Sequence, residues 1–268
     1  KGGGDTSKGI VAAGCSPSIV TCTELYSGGI FHGTISAWGS GGNLITGRAG
    51  AGRAGGQTSA LAAGGSTDPA AQTCTEHYDG SVWAVGGALS PAKRLLGGAG
   101  SQNAAIAAGG ANPMGLTADI YNGYVWSETS NLIQATQSTL LGTQNSALMV
   151  SGSANGTQEF NGETWSAGGA LINTRSSLAA DGTQNSAFAA GGWVPGDSAL
   201  TEHYDGSSWS AGGNMITARG FNTGVGTQNS ALASGGGQPT KRTCTEFYDG
   251  TTWSETGAAL GTAVQNNL

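Results

Sequence analysis

The sequence predicts an all-β, six-bladed propeller with four strands per blade, on three observations. An aromatic residue and a tryptophan recur six times, five with one spacing: Tyr78–Trp83, Tyr121–Trp126, Phe160–Trp165, Tyr204–Trp209 and Tyr248–Trp253. Tyr26–Trp38 is the sixth, stretched by seven residues. Successive tryptophans lie 45, 43, 39, 44 and 44 residues apart, a period that marks one repeated supersecondary unit. Third, a glycine pair closes a small-residue run ahead of most of these motifs, as at Gly64-Gly65, Gly109-Gly110, Gly191-Gly192 and Gly235-Gly236.

Residues 219–255 show the unit in order. Strand a follows Arg219 and ends at the turn Gly226-Thr227-Gln228-Asn229. Strand b is Ser230-Ala231-Leu232-Ala233-Ser234, closed by the glycine pair. Strand c is Thr243 to Tyr248, and strand d carries Trp253. Runs of four to eight residues bounded by Gly, Asn or Asp read as short strands joined by turns. Asp79-Gly80, Asn122-Gly123, Asn161-Gly162, Asp205-Gly206 and Asp249-Gly250 predict type I′ turns, which need positive φ at both central residues. Such a hairpin sets the aromatic beside the tryptophan, an arrangement worth about 0.5–1.5 kcal/mol beyond its buried area.

Residues 8–14 read as a strand b with no strand a before it, and the chain beyond Trp253 has room for one further strand. The expectation is a single domain over 1–268, with 1–7 as a linker. Its first blade combines 8–40 with 259–268, closing the circle without a free inner edge.

The glycine pair followed by Tyr-x4-Trp resembles the kelch repeat over nearly the whole chain. The wording Gly-Thr-Gln-Asn-Ser-Ala-Leu-Ala, with Glu-His-Tyr-Asp-Gly-Ser-Ser-Trp, is similar to kelch-type proteins of phages, marine ones in particular. This resemblance implies a virion or tail-fibre protein for host attachment or capsid decoration.

Glycine supplies 50 of 268 residues and only 10% are charged, against roughly 25% in soluble domains at large. Small residues in strands a and b let blades approach near the axis, and aromatics in c and d fill the outer wedge. A net charge of −6 with few basic residues argues against a nucleic-acid partner. No apolar run is long enough for a membrane span. A surface rich in Ser, Thr, Asn and Gln suits a virion or extracellular setting.

Little chemistry follows from spacing. Cys22, Cys74 and Cys244 share one slot, too far apart around a ring to bridge, and read as small fillers; Cys15 and Cys22 flank one loop and could pair. His77 and His203 share a slot that elsewhere holds Leu25, Ile120, Glu159 or Phe247, so it reads as a tolerant strand position. Glu24, Glu76, Asp119, Gln158, Glu202 and Glu246 form an acidic slot, one per blade, which suits a structural task better than a carboxylate pair. The sialidase aspartate box places Asp two residues before Gly, unlike this chain. No copper, zinc or other cofactor set is found, and the reading is non-enzymatic.

Arg48, Arg94, Arg175 and Arg219 each open strand a, ten or eleven residues after a tryptophan. Two readings stand: a cationic collar at one channel mouth for an anionic glycan, or arginines paired with carboxylates and carbonyls between blades. The a–b turns repeat almost verbatim, whereas the b–c links vary. Recognition is therefore expected where b–c and d–a loops gather. Trp193, the one tryptophan outside the repeat slot, and Arg242 beside Lys241 are candidate ligand contacts there, for a glycan or a protein. The insertion 28–37, with Phe31 and His32, is expected at the opposite end, where it could dock a neighbouring subunit in a homo-oligomer. Two rival readings are a glycan-active propeller enzyme and a kelch-type protein-interaction adaptor.

Overall fold

The computed structural model describes residues 8–12, 21–27, 37–67, 70–111, 115–136, 139–150, 156–237, 239–261 and 263. They form an all-β propeller; no helix occurs among them. The first sheet holds β1 (Lys8–Ala12), β2 (Thr23–Ser27) and β3 (Ala37–Ser40). The second holds β4 (Gly52–Gly56), β5 (Ser59–Ala63), β6 (Thr75–Tyr78) and β7 (Trp83–Val85). The third runs through β8 (Gly97–Ser101), β9 (Ala104–Ala108), β10 (Ala118–Tyr121) and β11 (Trp126–Glu128). The fourth comprises β12 (Thr139–Thr143), β13 (Ser146–Val150), β14 (Thr157–Phe160) and β15 (Trp165–Ala167). In the fifth, β16 (Ala179–Thr183) and β17 (Ser186–Ala190) are followed by a small hairpin, β18 (Trp193–Val194) and β19 (Gly196–Asp197), before β20 (Thr201–Tyr204) and β21 (Trp209–Ala211). The sixth is β22 (Thr223–Thr227), β23 (Ser230–Ser234), β24 (Cys244–Tyr248) and β25 (Trp253–Ala259).

Strands pair antiparallel in chain order within every sheet. The innermost strands β4, β8, β12, β16 and β22 stand side by side around the axis. Their small residues permit this approach. A Cβ on Gly98 would lie 2.3 Å from the Arg53 backbone nitrogen, so only glycine lets β8 press against β4.

Five sheets therefore have four strands, while the first shows three among the described residues. The strand expected to complete it falls in 259–268, of which 262 and 264–268 lie outside the described residues. The first sheet nonetheless touches both neighbours. Trp38 Nε1 donates to Thr245 Oγ1 of the sixth sheet at 3.0 Å, and Trp83 Nε1 of the second sheet donates to Thr23 Oγ1 at 3.1 Å. The 1–7 linker, Cys15 and residues 28–36 of the insertion also lie outside the described residues.

The Tyr–Trp pairing is as expected. Tyr78 opposes Trp83 in register, with ring centroids 5.0 Å apart, and Tyr204–Trp209 repeats this at 5.0 Å. The turn between them is not the type I′ hairpin expected. Only its glycines take positive φ (Gly80 99°, Gly206 93°), and four residues separate the paired rings. The acidic or amide side chain shapes the loop instead. Asp79 Oδ1 accepts the N–H groups of Ser81 and Val82, both at 2.8 Å, and Asn122, Asn161, Asp205 and Asp249 do the same. These bonds hold the Asp205 carboxyl at about 2, the N–H of Ser208 contributing most.

Seams between sheets account for the verbatim turns. Gln102 Nε2 donates to the carbonyls of Ala60 and Tyr78 in the preceding sheet, and Gln144 and Gln184 make the matching pair of bonds. Each indole reaches the threonine that opens or lies in strand c of the preceding sheet: Trp126 to Thr75, Trp209 to Thr157, Trp253 to Thr201. One seam lacks the bond. The threonine slot facing Trp165 holds Ala118, and the buried Trp165 Nε1 has no partner. Ala118→Thr is therefore expected to stabilise the protein by about 0.5–1.5 kcal/mol, read as a raised unfolding midpoint in urea; an unchanged or lower midpoint would show that the seam cannot hold the larger side chain.

Candidate functional site

Strand c of each sheet places its acidic slot against the d–a segment arriving from the previous sheet. Glu76 Oε2 and Oε1 accept the N–H groups of Ile45 and Thr46 at 2.7 and 3.1 Å, and Glu202 and Glu246 repeat this on Ile172–Asn173 and Ile216–Thr217. Three of the arginines lie in these segments. Arg48 pairs with Glu76 at 2.8 Å, Arg175 with Glu202 and Arg219 with Glu246, all with side chains at most 2% exposed. Further N–H groups go to carbonyls, including Cys74 for Arg48, Gly191 and Ala189 for Arg175, and Gly235 and Cys244 for Arg219, while the buried Arg48 Nε has no partner. The structure thus spends these three guanidinium groups inside the wall, and they form no open collar.

Arg94 is not their equivalent. Lys93, ten residues after Trp83, occupies the slot and pairs with Asp119. Burial pushes the Asp119 carboxyl up, against the pull of the Lys93 ammonium. Arg94 sits one residue on, half-buried, its carbonyl bonded to Ala111 N at 2.8 Å. A strict ten-residue count from each tryptophan distinguishes the two.

His77 and His203 lie edge-on to Tyr121 and Tyr248 of the next sheet, centroids 5.5 Å apart in both cases. Burial lowers both pKa values. Cys22, Cys74 and Cys244 are free thiols, half-buried at the start of strand c, so Cys22 is not bridged to Cys15. Among the described residues no group of three or more His, Cys, Asp or Glu could hold a metal.

The chemistry that departs from the repeat gathers at two places. Within the axial channel, Arg53 and Asp181 are the only charged residues on β4, β8, β12, β16 and β22. Arg53 Nη1 donates to Thr223 Oγ1 at 2.5 Å. Water touches Arg53, yet protein surrounds it closely, and that crowding lowers its pKa while Asp181 opposes the shift. Asp181 accepts the N–H groups of Gly182 and Gly226, both at 2.8 Å, but burial prevails and raises its carboxyl to about 7.

The second place is the end where b–c and d–a loops meet. Two residues after each buried cation, the chain passes through a left-handed conformation: Gly50 (φ 62°), Leu95 (55°), Ser177 (51°) and Phe221 (56°). Leu95 N donates to Gly50 O at 2.7 Å and Phe221 N to Ser177 O at 2.8 Å, linking equivalent residues of successive segments at the channel mouth. Glycine adopts this conformation freely, whereas a bulky side chain is strained there. Phe221 is the bulkiest of the four. Its ring lies 6.2 Å from that of Trp193 at an interplanar angle of 47°, and both are half-buried.

Backbone bonds fix this aromatic pair. Trp193 exchanges N–H and carbonyl with Ser176 at 2.6 and 2.9 Å. Asp197 Oδ1 accepts Gly220 N at 2.9 Å, and Gly237 N donates to Gly220 O at 2.7 Å. Arg242 packs over Gly237, its backbone N–H bonded to Gly236 O and its buried Nε without a partner. Trp193 and Arg242 are thus brought to adjoining blades at one end, and Arg94 lies on the d–a segment leading into the third sheet. Phe221 carried no signal in sequence beyond lying two residues after Arg219, in a slot held by glycine at position 50.

No family model matches the sequence, and no curated protein matches it. Solved structures do match the fold. One described as "Structure of YjhT" superposes with a TM-score of 0.72 over 95% of this chain and 95% of that one, at 12% identity. That likeness establishes the β-propeller fold alone. No helix among the described residues is long and apolar enough to cross a membrane.

Proposed function

We propose that this chain is a six-bladed kelch-type propeller serving as a non-enzymatic recognition module of a virion or cell surface, engaging its partner at the b–c/d–a end. The sixfold count is supported by Gly261 N donating to Glu24 Oε2 at 2.7 Å, the bond that Ile45 makes to Glu76.

The observation that carries the recognition reading is the strained Phe221 held against Trp193, the one tryptophan outside the repeat slot. Strain of this kind costs about 1–3 kcal/mol and concentrates at functional sites. Elsewhere most distinctive side chains are engaged within the wall: acids with arginines inside a sheet, tryptophans with threonines and glutamines with carbonyls between sheets. The phage and tail-fibre assignment rests on the wording of the repeats, and host attachment follows from it.

A glycan array probed with the intact protein tests this reading, together with mass spectrometry of the ligands. Binding to a discrete set of glycans without cleavage is the expected result. Cleavage of any bound glycan would replace the reading with an enzyme. Binding to no glycan and to no host surface protein would remove it.

A further inference from the structure

Building on that reading, we infer that Trp193 and Phe221 form a saccharide subsite, an inclined aromatic platform that takes the apolar C–H face of a pyranose ring. Three features of the site point to this ligand class.

The first is shape and rigidity. Two half-buried rings 6.2 Å apart meet at 47°, giving a corner of two π-faces. Each ring face is electron-rich and attracts polarised C–H groups. Neither residue can swing away cheaply. Trp193 is tied to Ser176 by two backbone bonds, and Phe221 is bonded through its own N–H to Ser177 while Gly220 is clamped by Asp197 and Gly237. A preorganised aromatic surface loses little conformational entropy when a ligand arrives.

The second is the surrounding polarity. The platform is small and bordered by Ser176, bonded to Trp193, and by Asp197, which pairs with Trp193 and accepts Gly220 N. An acyl chain or an apolar peptide side chain would need a wider apolar floor. A pyranose matches the pattern because it carries a C–H face bordered by hydroxyl groups, which suit a polar border.

The third is location. The hairpin Trp193–Asp197 is formed in only one of the six sheets among the described residues, and it places its tryptophan beside the left-handed slot of the next d–a segment. Blade packing does not require Phe221 there, since Gly50 fills the equivalent slot.

That equivalence supplies the test. Phe221→Gly removes the ring while providing the residue that φ 56° favours, so the unfolding midpoint is expected to stay near that of the parent protein. Binding to the glycan found on the array should nevertheless weaken about tenfold or more, the measure of one lost anchor contact. Trp193→Ala should weaken it at least as much, and saturation-transfer NMR of the parent protein should show contacts from pyranose C–H protons rather than from an aglycone. Full binding by Phe221→Gly and Trp193→Ala to a glycan that the parent binds would overturn the subsite while leaving recognition at another surface. A parent protein that binds no saccharide overturns the subsite too, and a protein partner would then be sought for this end.

Discussion

Arg219→Thr is expected to lower stability by about 3–5 kcal/mol, the cost of stranding a buried carboxylate. Arg219 is wholly buried, and it neutralises Glu246, also wholly buried. Removing the guanidinium leaves Glu246 with only the N–H groups of Ile216 and Thr217, and it takes a donor from the carbonyls of Gly235 and Cys244, the latter keeping the N–H of Gly235. The chain itself shows how the loss can be offset. In the fourth sheet the acidic slot is Gln158, and the cation slot ten residues after Trp126 is Thr136. Gln158 Oε1 accepts Ile133 N and Gln134 N at 2.8 and 3.1 Å, and its Nε2 donates to Gln134 O at 3.0 Å. A neutral amide thus satisfies the same segment without an ion pair. Arg219→Thr with Glu246→Gln should recover at least half of the loss, so a double-mutant cycle in urea should give a coupling of about 1–3 kcal/mol. Additive single effects would mean that the pair is not a unit, and the structural account of the arginine slot would fail.

That account bears on how the sequence could be read. Repeat period, strand order and aromatic register were all legible, because each rests on a pattern that recurs with fixed spacing. The turn type was not. Asp-Gly is shared by type I′ turns and by the four-residue loop seen here, and side-chain capping by Asp79 or Asn122 leaves no further mark in the sequence. Arg48, Arg175 and Arg219 were legible as a set, but a collar and a buried ladder share the same spacing. Only the partner carboxylates decide between them, and those come from strands 27 to 28 residues away. Arg94 entered the set in place of Lys93 because its type matched and its spacing did not. Phe221 stayed hidden because left-handed backbone at a bulky residue contradicts local preference, and such conflicts surface only when the surrounding structure imposes them.

Phe160→Tyr is the second substitution with a large expected effect: it should destabilise by about 1–3 kcal/mol, although tyrosine is the residue of every other sheet. In four of those five sheets the hydroxyl meets a glycine pair from the preceding sheet, whereas the pair facing Tyr26 is Thr256-Gly257. Tyr204 Oη accepts Gly169 N at 3.2 Å, and Tyr121 and Tyr248 accept Gly87 N and Gly213 N at 3.2 and 3.3 Å. The first glycine of each pair has no room for a side chain, since a Cβ on Gly168 would stand 2.9 Å from Tyr204 Oη. The pair facing Phe160 is instead Thr129-Ser130, three and four residues after Trp126. A tyrosine at position 160 would drive its hydroxyl into the Thr129 side chain. Thr129→Gly removes that obstacle, so Phe160→Tyr with Thr129→Gly should be more stable than Phe160→Tyr alone, whereas Thr129→Gly in the parent should gain nothing. The same seam has Ala118 where others have threonine, and Thr136 with Gln158 where four others have cation and acid. Its departures from the repeat come in complementary sets across one interface, so the selected unit is the seam rather than the blade. Equal stability of Phe160→Tyr with and without Thr129→Gly would contradict this.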